Sequence, residues 1–211
     1  MPKNFNVFRQ MALGYILIVG LSIGLITPIV QAEAPTDTLY TIPSTTAPVL
    51  VDGMTQIERG AKIDAFFTER GNLPLAGYGT TFVRMADKYK LDWRLAAAIA
   101  YNESTAGANE CRGKDGQKTY NAFGYRGCNS KFDSYEHAIE TVTRNLAGEI
   151  DSTKKYYANK SVEEKINAYN PPEYNKNYQR LVLWTMNKIS ATDTNMIALK
   201  ATVSAKELAI K

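Results

Sequence analysis

Thiol and imidazole are scarce in this chain of 211 residues: it has two cysteines, Cys111 and Cys128, and one histidine, His137. That supply cannot build a Cys- or His-rich metal cage, and no metal or other cofactor is expected. A catalytic thiol is not expected either, because His137 falls on a predicted helix among charged neighbours. Strong charge is missing too. The net charge is +4, and Lys3 and Arg9 alone supply two of those charges. No basic stripe exists, so nucleic acid is not an expected partner. A weak attraction to an anionic polymer is all the charge supports. Internal repeats and sustained alternating strands are absent, which excludes solenoids and β-sandwiches.

What the chain does have is a stretch that is apolar on every side, Leu91 to Ser104, reading LDWRLAAAIAYNES. Asp92 is expected to cap its start. Leu95 to Ala100 leave no polar face, so the predicted helix belongs in the middle of a domain. Glu103 stands at its C-terminal end, on the face of Ala96, Ile99 and Ala100. Burial raises a carboxyl pKa, and so does the negative end of a helix dipole. A glutamate held protonated near neutral pH has what a general acid requires. A solvent-facing Glu at a fraying helix end is the plainer reading of the same residues.

The rest of the chain divides around that helix. Residues 1–32 combine the basic Lys3 and Arg9 with an uncharged apolar run from Met11 to Val30. This reads as a signal peptide, with small-residue cleavage sites at Ala32 and Ala34, or as a retained transmembrane anchor. Either way the basic flank puts the remainder outside the cytoplasm, in the periplasm or at the cell surface. Residues 33–54 are rich in Pro, Thr and Ala and read as a linker. Residues 55–190 carry helical periodicity, so the fold class is mainly α. Helices are expected over Thr55 to Gly71, Tyr78 to Tyr89, Asp133 to Ile150, Ser161 to Ala168 and Tyr174 to Ile189. Thr105 to Lys131 turns to Gly, Asn, Lys and Cys, an irregular loop with room for short strands. Residues 191–211 form a weakly patterned tail. In an exported protein Cys111 and Cys128 are expected to pair and close that loop. In the chain-entropy model such a closure is worth about 3 kcal/mol.

Glu103-Ser104 at the end of a buried helix, Asn121-Ala122-Phe123-Gly124, the Phe132–Tyr135 spacing, Ala168-Tyr169-Asn170 and Pro172-Glu173-Tyr174 occur in that order. This series resembles the lysozyme-like superfamily of peptidoglycan-cleaving enzymes over roughly residues 60–190. The nearest likeness is to lytic transglycosylases and to glucosaminidase-type endo-β-N-acetylglucosaminidases. The resemblance implies a lysozyme-like helical domain with a central buried helix. It implies that Glu103 is the catalytic acid, that Tyr169 is a second catalytic position hydrogen-bonding near the sugar's acetamido group or Glu103, and that peptidoglycan strands are the substrate. Ser104, Asn121, Phe123, Tyr125, Asn170 and Tyr174 are the implied substrate-binding positions. For Tyr169 a core tyrosine is the plainer reading, and for the loop residues it is loop packing. Two positions depart from the transglycosylase pattern. Asn-Ala-Phe-Gly replaces its Gly-Leu-Met-Gln, and Pro-Pro follows Tyr169-Asn170 in place of a small residue and Gly. Glycoside cleavage usually needs a second carboxylate. Glu110, Asp115 and Asp133 are candidates, and an N-acetyl sugar can supply its own nucleophile instead. A small monomeric accessory enzyme is the expected form. A non-catalytic glycan-binding module and a structural subunit of an envelope-spanning apparatus are the alternatives.

Overall fold

The computed structural model describes residues 49–127 and 130–195. The expectations for residues 1–48, for Cys128 and for the tail beyond residue 195 lie outside them. Among the described residues the chain is mainly helical. Two isolated bridges, Val51–Met54 and Arg112–Lys118, are the β structure found there.

Helix α1, Gln56–Glu69, starts where Thr55 accepts from the Glu58 N–H and Glu58 reaches back to the Thr55 N–H. This reciprocal cap satisfies two otherwise free donors. The buried side chains Ile63, Phe66 and Phe67 turn inward. Helix α2, Gly79–Lys88, crosses α1 at glycines: a Cβ built on Gly79 would lie 2.0 Å from the Gly60 carbonyl oxygen. Asp64 clamps the crossing by accepting from the N–H groups of Gly77 and Gly79, each at 2.7 Å. The buried guanidinium of Arg59 ties the same pair of helices through Asp87, at 2.7 and 2.9 Å.

Helix α3, Leu95–Ser104, is the centre. Leu95 to Ala100 are all buried, and the helix packs against α2, α4 and α7. Its start differs from the expectation. Asp92 accepts from the backbone N–H of Arg94 at 2.9 Å and pairs with the same guanidinium, so it builds a turn ahead of the helix and does not cap it. Helix α4, Tyr135–Leu146, is capped by Ser134. A single turn, α5 (Lys154–Tyr157), has no counterpart in the sequence reading. Helix α6, Val162–Tyr169, carries a second reciprocal cap between Ser161 and Glu164. The buried Lys165 amine donates to the carbonyls of Leu146 and Tyr157, which sets the ends of α4 and α5 against α6. Helix α7, Tyr178–Ala191, closes the domain against α3.

Among its described residues the loop between α3 and α4, which left room for short strands, forms the single Arg112–Lys118 bridge. Cys111 is held in a disulfide. Residues 51–54, at the end of the predicted linker, make a tight turn that Trp93 holds by donating to Asp52 at 3.2 Å. No helix among the described residues is long and apolar enough to cross a membrane.

Candidate functional site

Glu103 reaches its position because α3 stops abruptly after it. Thr105 and Ala106 take left-handed conformations, with φ of +53° and +50°. The Ala106 N–H folds back to the Ala100 carbonyl at 3.1 Å. This ending satisfies free carbonyls of the last turn. It turns the chain away so that the Glu103 side chain faces the 121–125 segment and α7.

The carboxyl group is half-buried and has two different oxygens. Oε1 accepts from the Tyr178 phenol at 2.6 Å. Oε2 faces Gly124, where a Cβ would come within 2.9 Å of it. Gly124 has a φ of +58°, so both its backbone conformation and the space beside the acid favour glycine there. Burial raises the Glu103 pKa, and the Tyr178 hydrogen bond opposes part of that rise; the net direction is upward. Burial also holds the Tyr178 phenol far above its ordinary range, helped by the negative charge of Glu103. Tyr178 therefore remains a hydrogen-bond donor across the usable pH range.

The other predicted positions scatter. Tyr169 is partly buried and donates to the Phe123 carbonyl at 2.7 Å, so its single hydrogen goes to the loop and not to Glu103. Burial and then the Glu103 charge raise its phenol well above the ordinary value. Ser104 donates to the Ala122 carbonyl at 2.6 Å and accepts from the Gly107 N–H at 2.8 Å. Asn121 is fully buried: its amide donates to the carbonyls of Tyr125 and Ser130 and its oxygen accepts from the Tyr125 N–H. Phe123 is fully buried against Phe82. Ser104, Asn121 and Phe123 thus shape the loop from inside and offer a ligand almost no surface. Tyr125 is mostly buried, beside Phe132, but borders a cavity of about 310 Å³ together with Gly124, Asn145, Thr153, Tyr157 and Tyr169. Asn170 is half-buried where α6 ends. Tyr174 is 85% exposed, its ring in solvent.

The three candidate second carboxylates are occupied elsewhere. Glu110 is buried and accepts from the Tyr135 phenol at 3.0 Å, Asp115 accepts from the Gln117 N–H, and Asp133 pairs with His137 on the surface. None of them contributes to the shift of Glu103. No group of three or more His, Cys, Asp and Glu side chains converges among the described residues. A larger concavity, about 970 Å³, is lined by Arg59, Asp87, Trp93 and Arg94 and does not include Glu103.

Sequence reasoning missed Tyr178 as the partner of Glu103. It sits four, seven and eleven residues before Val182, Thr185 and Ile189, all buried, so its position reads as one more core site on α7. Nothing local marks its hydroxyl as functional. Gly124 lies within the Asn-Ala-Phe-Gly series, and its contact with the acid shows only once the loop is folded.

Compared with known proteins, the chain matches no family model, and no curated protein and no solved structure matches it.

Proposed function

We propose that residues 55–190 form a lysozyme-like domain that cleaves β-1,4 bonds next to N-acetylated amino sugars in peptidoglycan, with Glu103 as general acid and then base. The observation that carries this reading is Glu103 itself. It is a half-buried carboxyl at the end of a buried helix, with a raised pKa, a phenol on one oxygen and the backbone of a glycine close beside the other. The order of motifs in the sequence supplies the substrate class.

In this reading Glu103 donates its proton to the glycosidic oxygen as the C–O bond breaks. The acetamido oxygen of the same sugar bonds to the anomeric carbon, so one carboxyl group suffices. Glu103, now a carboxylate, then removes a proton either from water, giving hydrolysis, or from the sugar's own hydroxyl, giving an anhydro end. Tyr169 acts on the site indirectly, by bracing the Phe123 carbonyl. The Cys111 disulfide, with Cys128 as its partner, holds the loop that carries Gly124. Because Lys3, Arg9 and the apolar run after them are export signals, the domain works outside the cytoplasm. A periplasmic reporter fused after Lys211 should be active and a cytoplasmic one silent; the reverse pattern removes the export reading.

The decisive experiment is mass spectrometry of purified glycan strands incubated with residues 33–211 and with the Glu103→Gln variant. The wild type should cut them, and the mass of the new end tells hydrolysis from anhydro formation. The variant should lose about 10²–10⁴-fold in rate, which is about 3–5 kcal/mol of barrier. An unchanged rate in the variant would remove Glu103 as the acid. Binding by both proteins with cleavage by neither would favour the non-catalytic glycan-binding module.

A further inference from the structure

The two oxygens of Glu103 are not equivalent, and their surroundings decide which one carries the proton. We propose that Tyr178 and Gly124 together assign the Glu103 proton to Oε2, so that the leaving-group oxygen is protonated over the backbone of Gly124. This inference rests on the reading of Glu103 as a general acid and adds the direction of proton delivery.

Hydrogen-bond inventory makes the assignment. Tyr178 is buried and has one hydrogen to donate, and Glu103 Oε1 at 2.6 Å is its partner. If the carboxyl proton sat on Oε1, that oxygen would become the weaker, hydroxyl-type acceptor for the phenol, or would turn its proton onto the phenol oxygen. The phenol hydrogen would then be poorly accepted or left without an acceptor in a buried site, and either is costly. With the proton on Oε2, the phenol donates to Oε1 and both groups are satisfied. Oε2 then carries its proton on the side of Gly124, whose backbone lies so close that even a methyl group there would come within 2.9 Å of the oxygen. Tyr178 and Gly124 are positioning residues, because each acts through Glu103. The titratable groups facing the carboxyl are the phenols of Tyr178 from α7 and Tyr169 from α6. Both are held neutral by burial. From the loop, Tyr125 faces Tyr169, and Arg126 lies over the Tyr125 ring at 5.6 Å.

The test uses the full chain in detergent and two readouts. The Glu103 carboxyl is titrated by carbon NMR, its signal assigned by loss in Glu103→Gln, and glycan cleavage is followed against pH. Tyr178→Phe keeps the ring and removes a bond that favours the charged carboxylate, so the Glu103 pKa should rise further. The alkaline limb of the rate profile, where the acid loses its proton, should move up with it, and kcat should fall. Gly124→Ala places a methyl group against Oε2 and should lower kcat by about 10²-fold, the scale of a 1 Å misplacement. Gly116→Ala is the control, since it puts the same kind of strain, at φ +74°, in the same loop with nothing within 4 Å, and it should leave cleavage unchanged. An unmoved or lowered Glu103 pKa in Tyr178→Phe overturns the proposal, and so does wild-type cleavage by a folded Gly124→Ala. Should Gly124→Ala fail to fold, the direction of the Tyr178→Phe titration alone decides. If the wild type cuts no glycan, the functional reading fails while the NMR titration still decides where the proton lies.

Discussion

Replacing Gly79 by alanine should destabilise this protein, against the sign that helix propensity predicts. Alanine in a helix is favoured over glycine by about 1 kcal/mol, so an isolated helix would gain from the change. Here the new methyl group would meet the Gly60 carbonyl oxygen at 2.0 Å and the Asp64 carboxyl at 2.8 Å, where ordinary contact begins at 3.4 Å. The first obstacle is backbone and cannot rotate away. The two helices must part by more than an ångström, and a gap of that size forfeits a quarter to a half of the dispersion well for the atoms lining it. Overpacking of this kind costs about 1–3 kcal/mol. Weakening the bond from the Gly79 N–H to Asp64 adds about 1 kcal/mol. Set against the propensity gain of about 1 kcal/mol, the net loss is about 1–3 kcal/mol. For a domain of this size that lowers Tm by roughly 2–12 °C. Thermal unfolding followed by circular dichroism measures it, with urea titration as a second scale. A Tm equal to or above that of the wild type would refute the close crossing of α1 and α2.

Two further expectations concern the site and its loop. Because burial holds the Glu103 pKa above the ordinary carboxyl range, the native state binds its proton more tightly than the unfolded chain does. Stability contributed by that proton is therefore lost as pH rises from about 4, near the unfolded pKa, through the native one. Glu103→Gln removes this loss, so the Tm of the variant relative to wild type should climb between about pH 4 and 7; a difference flat across that range contradicts it. Under denaturing, non-reducing conditions a thiol reagent should label neither Cys111 nor Cys128, and two labelled thiols would break the proposed pair.

Much of the helical layout is legible because its signals are local. Thr55 with Glu58 and Ser161 with Glu164 state helix starts within four residues, and Ser134 starts α4 in the same way. The all-apolar Leu95–Ala100 run states its own burial. The upward direction of the Glu103 pKa is legible too, because it follows from that burial. Asp92 misled because an Asp before a helix caps equally well the turn ahead of it, and here Arg94 completes that turn. The one-turn α5 is too short to show a period. The roles of Tyr169 and Tyr178 are settled by which carbonyl or carboxylate each phenol meets across the fold, and residue order alone cannot state this. Asn121 reads as a polar loop residue open to a ligand, yet it spends its amide on the loop's own backbone.

The Ser104 hydroxyl has a consequence for the thermodynamics of recognition. It joins the end of α3 to the Ala122 carbonyl and the Gly107 N–H, while Tyr169 fastens the Phe123 carbonyl from the other side. The helix that carries the acid and the segment that faces it are therefore one stiff unit before any ligand arrives. Ordering side chains and loops on association commonly costs about 0.5–1.5 kcal/mol for each group immobilised. Under the proposed function, a ligand entering here would meet walls whose ordering was completed during folding. Its binding entropy should reflect the freedom lost by the ligand and the water it displaces, with little contribution from the protein.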